Sequence, residues 1–128
     1  MTENGKRCIL VVDDNQDIRE GFVLLLELAG YDEVYSAACG EEALLTLASV
    51  RPDVLVTDRN MPRMSGEKLA EIAKRIAPEI KIIMITGHDI EAVRKAATAA
   101  GVDRILQKPV LIEDLETAIQ EVLAPATA

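Results

Sequence analysis

Apolar residues along the chain follow two alternating patterns, short continuous runs and longer stretches with helical spacing. The short runs predict five strands, at about 8–12, 34–37, 54–57, 80–85 and 102–107. Most are apolar at consecutive positions, which is typical of strands buried on both faces. Between them, apolar residues recur at every third or fourth position. This spacing predicts five amphipathic helices, over about 18–29, 40–50, 69–76, 90–100 and 112–122.

The alternation of strand and helix determines the expected fold. Parallel strands joined by right-handed helical crossovers form a sheet that is covered by helices on both faces. The expectation is therefore an α/β fold, a flavodoxin-like (βα)5 doubly wound sheet of five parallel strands in the order 2-1-3-4-5. No linker or low-complexity stretch divides the 128 residues. We therefore expect one domain over 1–128, with a core at about 7–123 and polar tails.

Composition argues against several classes of function. The net charge is −8, with 22 acidic against 14 basic residues, which disfavours direct binding to nucleic acid or to an anionic membrane. No apolar run approaches the length of a membrane span and no signal peptide is evident, so a cytoplasmic protein is expected. Cys8 and Cys39 lack metal-binding spacing and are expected as free thiols.

Polar residues capable of chemistry stand at the carboxyl ends of four strands. In the expected strand order, the ends of strands one and three flank the point where such sheets bind ligands, which brings Asp13, Asp14 and Asp58 together. Crowded carboxylates repel one another, and a hard cation with oxygen ligands, Mg²⁺, removes that repulsion. One carboxylate can then attack phosphorus. Thr86 and Lys108, at the ends of strands four and five, can hold the phosphoryl oxygens.

Four short motifs carry a resemblance to a known family. They are VVDD at 11–14, DRNMPRMSG at 58–66, ITG at 85–87 and QKP at 107–109. In order and spacing they make the chain resemble the receiver domain of bacterial response regulators, the signalling proteins of two-component systems, over about residues 7–123.

The resemblance implies a role for each acidic position. Asp58 is implied as the phosphoacceptor, so the protein would be a phosphoprotein carrying an aspartyl phosphate. Asp13 and Asp14 are implied as Mg²⁺ carboxylates together with Asp58. Asn60 is implied to offer its backbone carbonyl to the metal, while its side chain influences how fast water removes the phosphoryl group.

The resemblance also covers the far side of the site, with two departures. Thr86 is implied to hydrogen-bond the phosphoryl group and Lys108 to form an ion pair with it, with a cis bond between Lys108 and Pro109. Many relatives carry an aromatic residue where this chain has Ile105, and often a phenylalanine where it has Val110. The aromatic part of the usual conformational switch is therefore not expected here.

The implied function is Mg²⁺-dependent acceptance of a phosphoryl group from a sensor histidine kinase or a phosphotransfer protein, which switches protein–protein interactions. A downstream target would dock on the face of the fourth helix, fifth strand and fifth helix, where a phosphorylation-dependent homodimer is also possible. Such a domain catalyses its own phosphorylation and dephosphorylation and is not expected to be a turnover enzyme. The alternatives are a phosphate sink or shuttle, the N-terminal receiver of a longer protein, and an unphosphorylated receiver-like scaffold.

Two unrelated classes also use this fold or this chemistry. A phosphatase of the haloacid dehalogenase type needs a second acid two residues after its nucleophile, whereas the acids here are followed by Asn15 and Asn60. A flavodoxin-type flavin carrier needs aromatic rings to sandwich the flavin, and the chain contains only two tyrosines, one phenylalanine and no tryptophan.

Overall fold

The computed structural model describes residues 7–124, and the two predicted tails lie mostly outside this range. Strands and helices alternate without exception, as predicted. The strands are β1 (Cys8–Val12), β2 (Glu33–Ala37), β3 (Val54–Asp58), β4 (Lys81–Thr86) and β5 (Arg104–Gln107). The helices are α1 (Gln16–Leu28), α2 (Gly40–Ser49), α3 (Gly66–Ile76), α4 (Ile90–Ala99) and α5 (Ile112–Leu123).

The five strands form one parallel sheet in the predicted order, β2-β1-β3-β4-β5. The register places Asp58 beside Ile85 and Thr86 beside Gln107. All strands therefore end at the same edge of the sheet, which is where ligands bind in open sheets of this type.

Each face of the sheet packs against its own set of helices. Side chains alternate between the two faces of a strand, so Leu10 and Val12 of β1 join one core and Ile9 and Val11 the other. The first core is completed by apolar residues of α2, α3 and α4, and the second by residues of α1 and α5. Burial on both faces explains why strands β1 and β3 are apolar at almost every position.

The opposite edge of the sheet, where the strands begin, is secured by aspartate side chains from neighbouring loops. Each carboxylate accepts a hydrogen bond from a backbone N–H within one residue of the start of a strand, a group that would otherwise lack a partner in the ladder. The pairs are Asp32 with Arg7 (3.2 Å), Asp53 with Cys8 (2.8 Å) and Asp103 with Ile82 (2.8 Å).

The ends of the elements shift by up to three residues from the sequence prediction, and two differences have a physical explanation. Strand β5 was predicted from residue 102 but begins at Arg104, because the Asp103 side chain turns back to bond the amide of Ile82 and the ammonium of Lys74 (3.2 Å). In α1, the helical spacing of Ile18, Leu25 and Leu26 predicts that all three lie on the inner face of the helix. Leu26 is fully buried, but Ile18 and Leu25 are each 41% exposed.

Two findings within the described residues bear on the expectations from composition. Cys8 and Cys39 are free thiols. Among residues 7–124, no helix is both long enough and apolar enough to cross a bilayer.

Candidate functional site

Three carboxylates meet where β1 and β3 end. One oxygen from each of Asp13, Asp14 and Asp58 lies within 4.8 Å of the other two. Asp13 and Asp58 are buried and Asp14 is exposed. The cluster therefore has two members fixed in the protein and one facing solvent, so a ligand can reach it from outside.

One oxygen of the Asp58 carboxylate is held in place by two neighbouring groups. Oδ1 accepts a hydrogen bond from the backbone N–H of Arg59 (3.1 Å) and forms an ion pair with the Lys108 ammonium (3.1 Å). The backbone behind it is also tightly packed, because a Cβ on Gly66 would lie only 2.5 Å from the Asp58 carbonyl oxygen. Both the carboxylate and its peptide group thus have little freedom to move.

The carboxyl group of Asp13 has a raised pKa. Burial raises the pKa of its carboxyl group, the backbone N–H of Asn15 (2.9 Å) counteracts this, and the negative charge of Asp58 raises it further. Arg19 reaches back from α1 and donates to the Asp13 carbonyl oxygen at 2.8 Å. A positive ion at the cluster would offset both the cost of burying the Asp13 charge and its repulsion from Asp58.

The hydroxyl and the ammonium predicted for this edge also lie there. Thr86 is fully buried at the end of β4, and its Oγ1 accepts a hydrogen bond from the backbone N–H of His88 (2.9 Å). The Lys108 backbone N–H donates to the Thr86 carbonyl oxygen (2.8 Å), and the bond from Lys108 to Pro109 is cis. Lys108 therefore follows β5 directly into the site.

Asn60 stands in the loop after β3 with an exposed side chain. The guanidinium of Arg59 bonds the Asn60 amide oxygen with Nη1 at 3.4 Å and the carboxylate of Glu67 with Nε at 2.7 Å. These contacts of Arg59 were not predicted. Residues 59 and 67 are eight apart and lie on different elements, so no helical or strand spacing pairs them.

The two positions that depart from the family pattern are occupied by packed aliphatic side chains. Ile105 lies opposite Met84 in the register of β4 and β5 and packs against the α2–α4 core. Val110 packs against the α1–α5 core. Beside the site, a groove of about 450 Å³ runs between α1 and the loop after β5, with Phe22 and Val110 among its lining residues.

The donor set fits a hard divalent cation. It consists of carboxylate oxygens within 4.8 Å of one another, and Mg²⁺ in proteins is bound through one or two carboxylates with water completing its shell. The exposed position of Asp14 leaves room for that water. The chemistry of the cluster therefore matches the predicted metal.

Comparison with known proteins establishes the family. The family model of the response regulator receiver domain matches residues 9–120. The response regulator MprA of Mycolicibacterium vanbaalenii is 36% identical over 119 residues, which are 93% of this chain and 51% of that protein. The chain belongs to the response regulator receiver domain family of two-component systems.

Solved structures agree with this assignment. The chemotaxis protein CheY4 of Vibrio cholerae superposes with a TM-score of 0.87 at 33% identity, covering 93% of this chain and all of that one. A response regulator of Burkholderia pseudomallei, solved with a phosphorylated aspartic acid, a calcium ion and citrate, gives a TM-score of 0.83 at 28% identity, covering 90% of this chain and 67% of that one.

The extent of the match differs between the two kinds of relative. The chain spans about half the length of the curated regulators that it matches, such as 46% of MprA from Mycobacterium avium, to which it is 39% identical over 107 residues and 84% of its own length. It spans the whole of CheY4.

Proposed function

We propose that the protein accepts a phosphoryl group on Asp58, with Mg²⁺ bound at the carboxylate cluster, and that this modification switches its interactions with other proteins. The observation that carries the proposal is the environment of Asp58. The Asp58 carboxylate is 6% exposed, and its Oδ1 lies 3.1 Å from the Lys108 ammonium. Oxygens of two further carboxylates, Asp13 and Asp14, lie within 4.8 Å of it.

The chemistry needs no general base, because an ionised carboxylate is already a nucleophile. A carboxylate oxygen of Asp58 attacks the phosphorus of a phosphohistidine. The new P–O bond forms as the P–N bond breaks, and the imidazole leaves with the electron pair of that bond. Lys108 neutralises charge on the phosphoryl oxygens, and the hydroxyl of Thr86 can donate to one of them.

Asp13, Asp14 and Asp58 would hold the metal, with the backbone carbonyl of Asn60 as a further ligand. When bound, Mg²⁺ supplies charge neutralisation for both the crowded carboxylates and the incoming phosphoryl group. The similar Burkholderia pseudomallei structure, with its phosphorylated aspartic acid and calcium ion, supports this arrangement.

Receiver domains work with histidine kinases and downstream targets. We propose that a cytoplasmic sensor kinase or phosphotransfer protein is the donor here. We assign target docking to the α4–β5–α5 face, where Leu111 is 62% exposed and Ala96 and Ala99 present short side chains. The same face would carry a phosphorylation-dependent homodimer, for which light scattering before and after phosphorylation is the test.

Intact mass after incubation with Mg²⁺ and acetyl phosphate tests the proposal. The wild type is expected to gain one phosphoryl group. Asp58→Asn is expected to gain none, and EDTA is expected to abolish the gain in the wild type. Asp17→Asn removes an exposed acid from the neighbouring helix α1 and should label like the wild type.

Two results would contradict the proposal. Labelling of the Asp58→Asn variant to the wild-type level would place the modification elsewhere. A wild type that stays unmodified with acetyl phosphate and with a phosphorylated donor protein would instead identify an unphosphorylated scaffold.

A further inference from the structure

The ion pair between Arg59 and Glu67 differs from the other arginine–glutamate pairs near helix starts. Its two side chains are 26% and 17% exposed, and Nε lies 2.7 Å from Oε2. The Arg94–Glu91 pair on α4, by comparison, is 56% and 73% exposed. Solvent screens an exposed pair much more than a partly buried one, so the Arg59 side chain is fixed in a way that Arg94 is not.

The backbone of Arg59 is fixed as well. Its N–H donates to Ile85 (2.8 Å) and to the Asp58 carboxylate (3.1 Å), and its carbonyl oxygen accepts from the N–H of Gly66 (2.7 Å). Arg59 is therefore a rigid residue directly after the acceptor, with a guanidinium whose direction is set by Glu67. The remaining contact of that guanidinium is the amide oxygen of Asn60.

Loss of the phosphoryl group requires a water molecule to attack phosphorus. The P–O bond to Asp58 then breaks, its electron pair returns to the carboxylate, and both protons of the water end on inorganic phosphate. A hydrogen-bond acceptor at the mouth of the site can orient that water. The Asn60 amide oxygen, two residues after the acceptor and exposed, is such a group. The Arg59 guanidinium already donates to this oxygen at 3.4 Å, so it takes one of the two lone pairs and sets the direction of the amide.

We propose that Arg59, held by Glu67, is a positioning residue that keeps the amide oxygen of Asn60 engaged and so prolongs the lifetime of the phosphoryl group on Asp58. This inference rests on the proposed function, and it adds that the side chain of Arg59 regulates how long Asp58 stays phosphorylated. The arrangement requires a planar donor that bonds two partners at once, which arginine provides and lysine does not.

The test is the rate at which the phosphorylated protein loses its phosphoryl group, followed by intact mass after removal of acetyl phosphate. Arg59→Ala is expected to shorten the half-life about 3- to 10-fold, the factor that corresponds to one hydrogen bond of ordinary net strength. Glu67→Gln should shorten it in the same direction but less, since Arg59 remains. Glu91→Gln, which breaks the exposed pair on α4, should leave the half-life unchanged.

Two further variants separate positioning from other effects. In the Asn60→Ala background, Arg59→Ala should cause no additional change, because the group that it positions has been removed. Arg59→Lys should behave like Arg59→Ala, since lysine keeps the positive charge but lacks the planar guanidinium that bonds two partners at once. If urea denaturation shows that the Arg59→Ala variant does not fold, the half-lives of the Arg59→Lys and Glu67→Gln variants provide the test.

The outcomes are distinguishable. An unchanged half-life in Arg59→Lys and Glu67→Gln, or an equal shortening by Arg59→Ala with and without Asn60, would overturn the inference while leaving the proposed function intact. A wild type that accepts no phosphoryl group would overturn both.

Discussion

Replacing Gly66 with alanine is expected to destabilise the protein and to disturb Asp58, the proposed phosphoacceptor. The new Cβ would lie 2.5 Å from the Asp58 carbonyl oxygen and 3.0 Å from the Arg59 Cα. Both atoms belong to the backbone, so no side-chain rotation can relieve the clash. The φ angle of Gly66 is not positive, unlike those of Gly30 and Gly101, so the requirement at this position is one of space.

The expected magnitude follows from two opposing effects. Overpacking of this kind costs about 1–3 kcal/mol. Alanine gains up to about 1 kcal/mol over glycine in a helix, but Gly66 is the first residue of α3, so only part of that gain applies. We expect the free energy of unfolding to fall by about 1–2 kcal/mol, and labelling of Asp58 by acetyl phosphate to become slower.

Gly21 provides a matched control within the same chain. It lies inside α1, and a Cβ there would have no atom within 4 Å. The same substitution, Gly21→Ala, should therefore stabilise the protein by about 0.5–1 kcal/mol. Urea unfolding followed by far-ultraviolet circular dichroism measures both changes from the transition midpoints. Equal midpoints for the two variants, or a Gly66→Ala protein as stable and as readily labelled as the wild type, would refute the reasoning.

Four other predictions concern the two cysteines and the packing of the protein. Burial, reinforced by nearby carboxylates, raises the pKa of Cys8 to about 11, so at pH 8.5 iodoacetamide should modify Cys39 and spare Cys8. Because the folded Cys8 thiol holds its proton more tightly than the unfolded one, this thiol's contribution to stability should be constant below pH 9 and decline as the pH rises toward 11. Asp103→Ala should cost about 1–3 kcal/mol in urea unfolding, since it leaves a strand amide without its acceptor, and a change below 0.5 kcal/mol would contradict that view. Leu26→Ala should cost about 2–5 kcal/mol and Leu28→Ala at the exposed surface less than about 0.5 kcal/mol, measured in the same assay.

The strand order and the meeting of the strand ends could be predicted because both depend on local patterns. An apolar run such as 54–57 identifies a buried strand by itself, and the parallel arrangement then sends every strand end to one edge. Asp13, Asp58, Thr86 and Lys108 follow from that rule, although the strands that carry them are far apart in the sequence.

The burial of α1 could not be predicted as well from periodicity. Leu25 and Leu26 are adjacent and therefore point about 100° apart around the helix. With Leu26 fully buried against the sheet, Leu25 lies at the side of the helix and is 41% exposed. The apolar pattern of α1 is wider than the surface that the sheet offers it. Which side is covered depends on where α5 packs, and that is a property of the assembled fold.

The pairing of Arg59 with Glu67 was also beyond the sequence. Nothing in the spacing of these residues distinguishes a partly buried pair from the exposed pairs elsewhere on the surface. The distinction arises because the loop after β3 folds back on the first turn of α3, where the close approach of Gly66 to the Asp58 carbonyl sets the distance.

The aspartates at the start of the sheet have a consequence for the rates at which backbone amides exchange their hydrogen. Amide protons at Cys8 and Ile82 are bound by carboxylates and lie within the central strands, so they should exchange with deuterium only when the whole domain unfolds. The loops at the other end, after β1 and β3, take no part in these bonds, so a rearrangement there leaves them intact. The phosphorylation that we propose for Asp58 would therefore change its surroundings while the far edge of the sheet stays fixed.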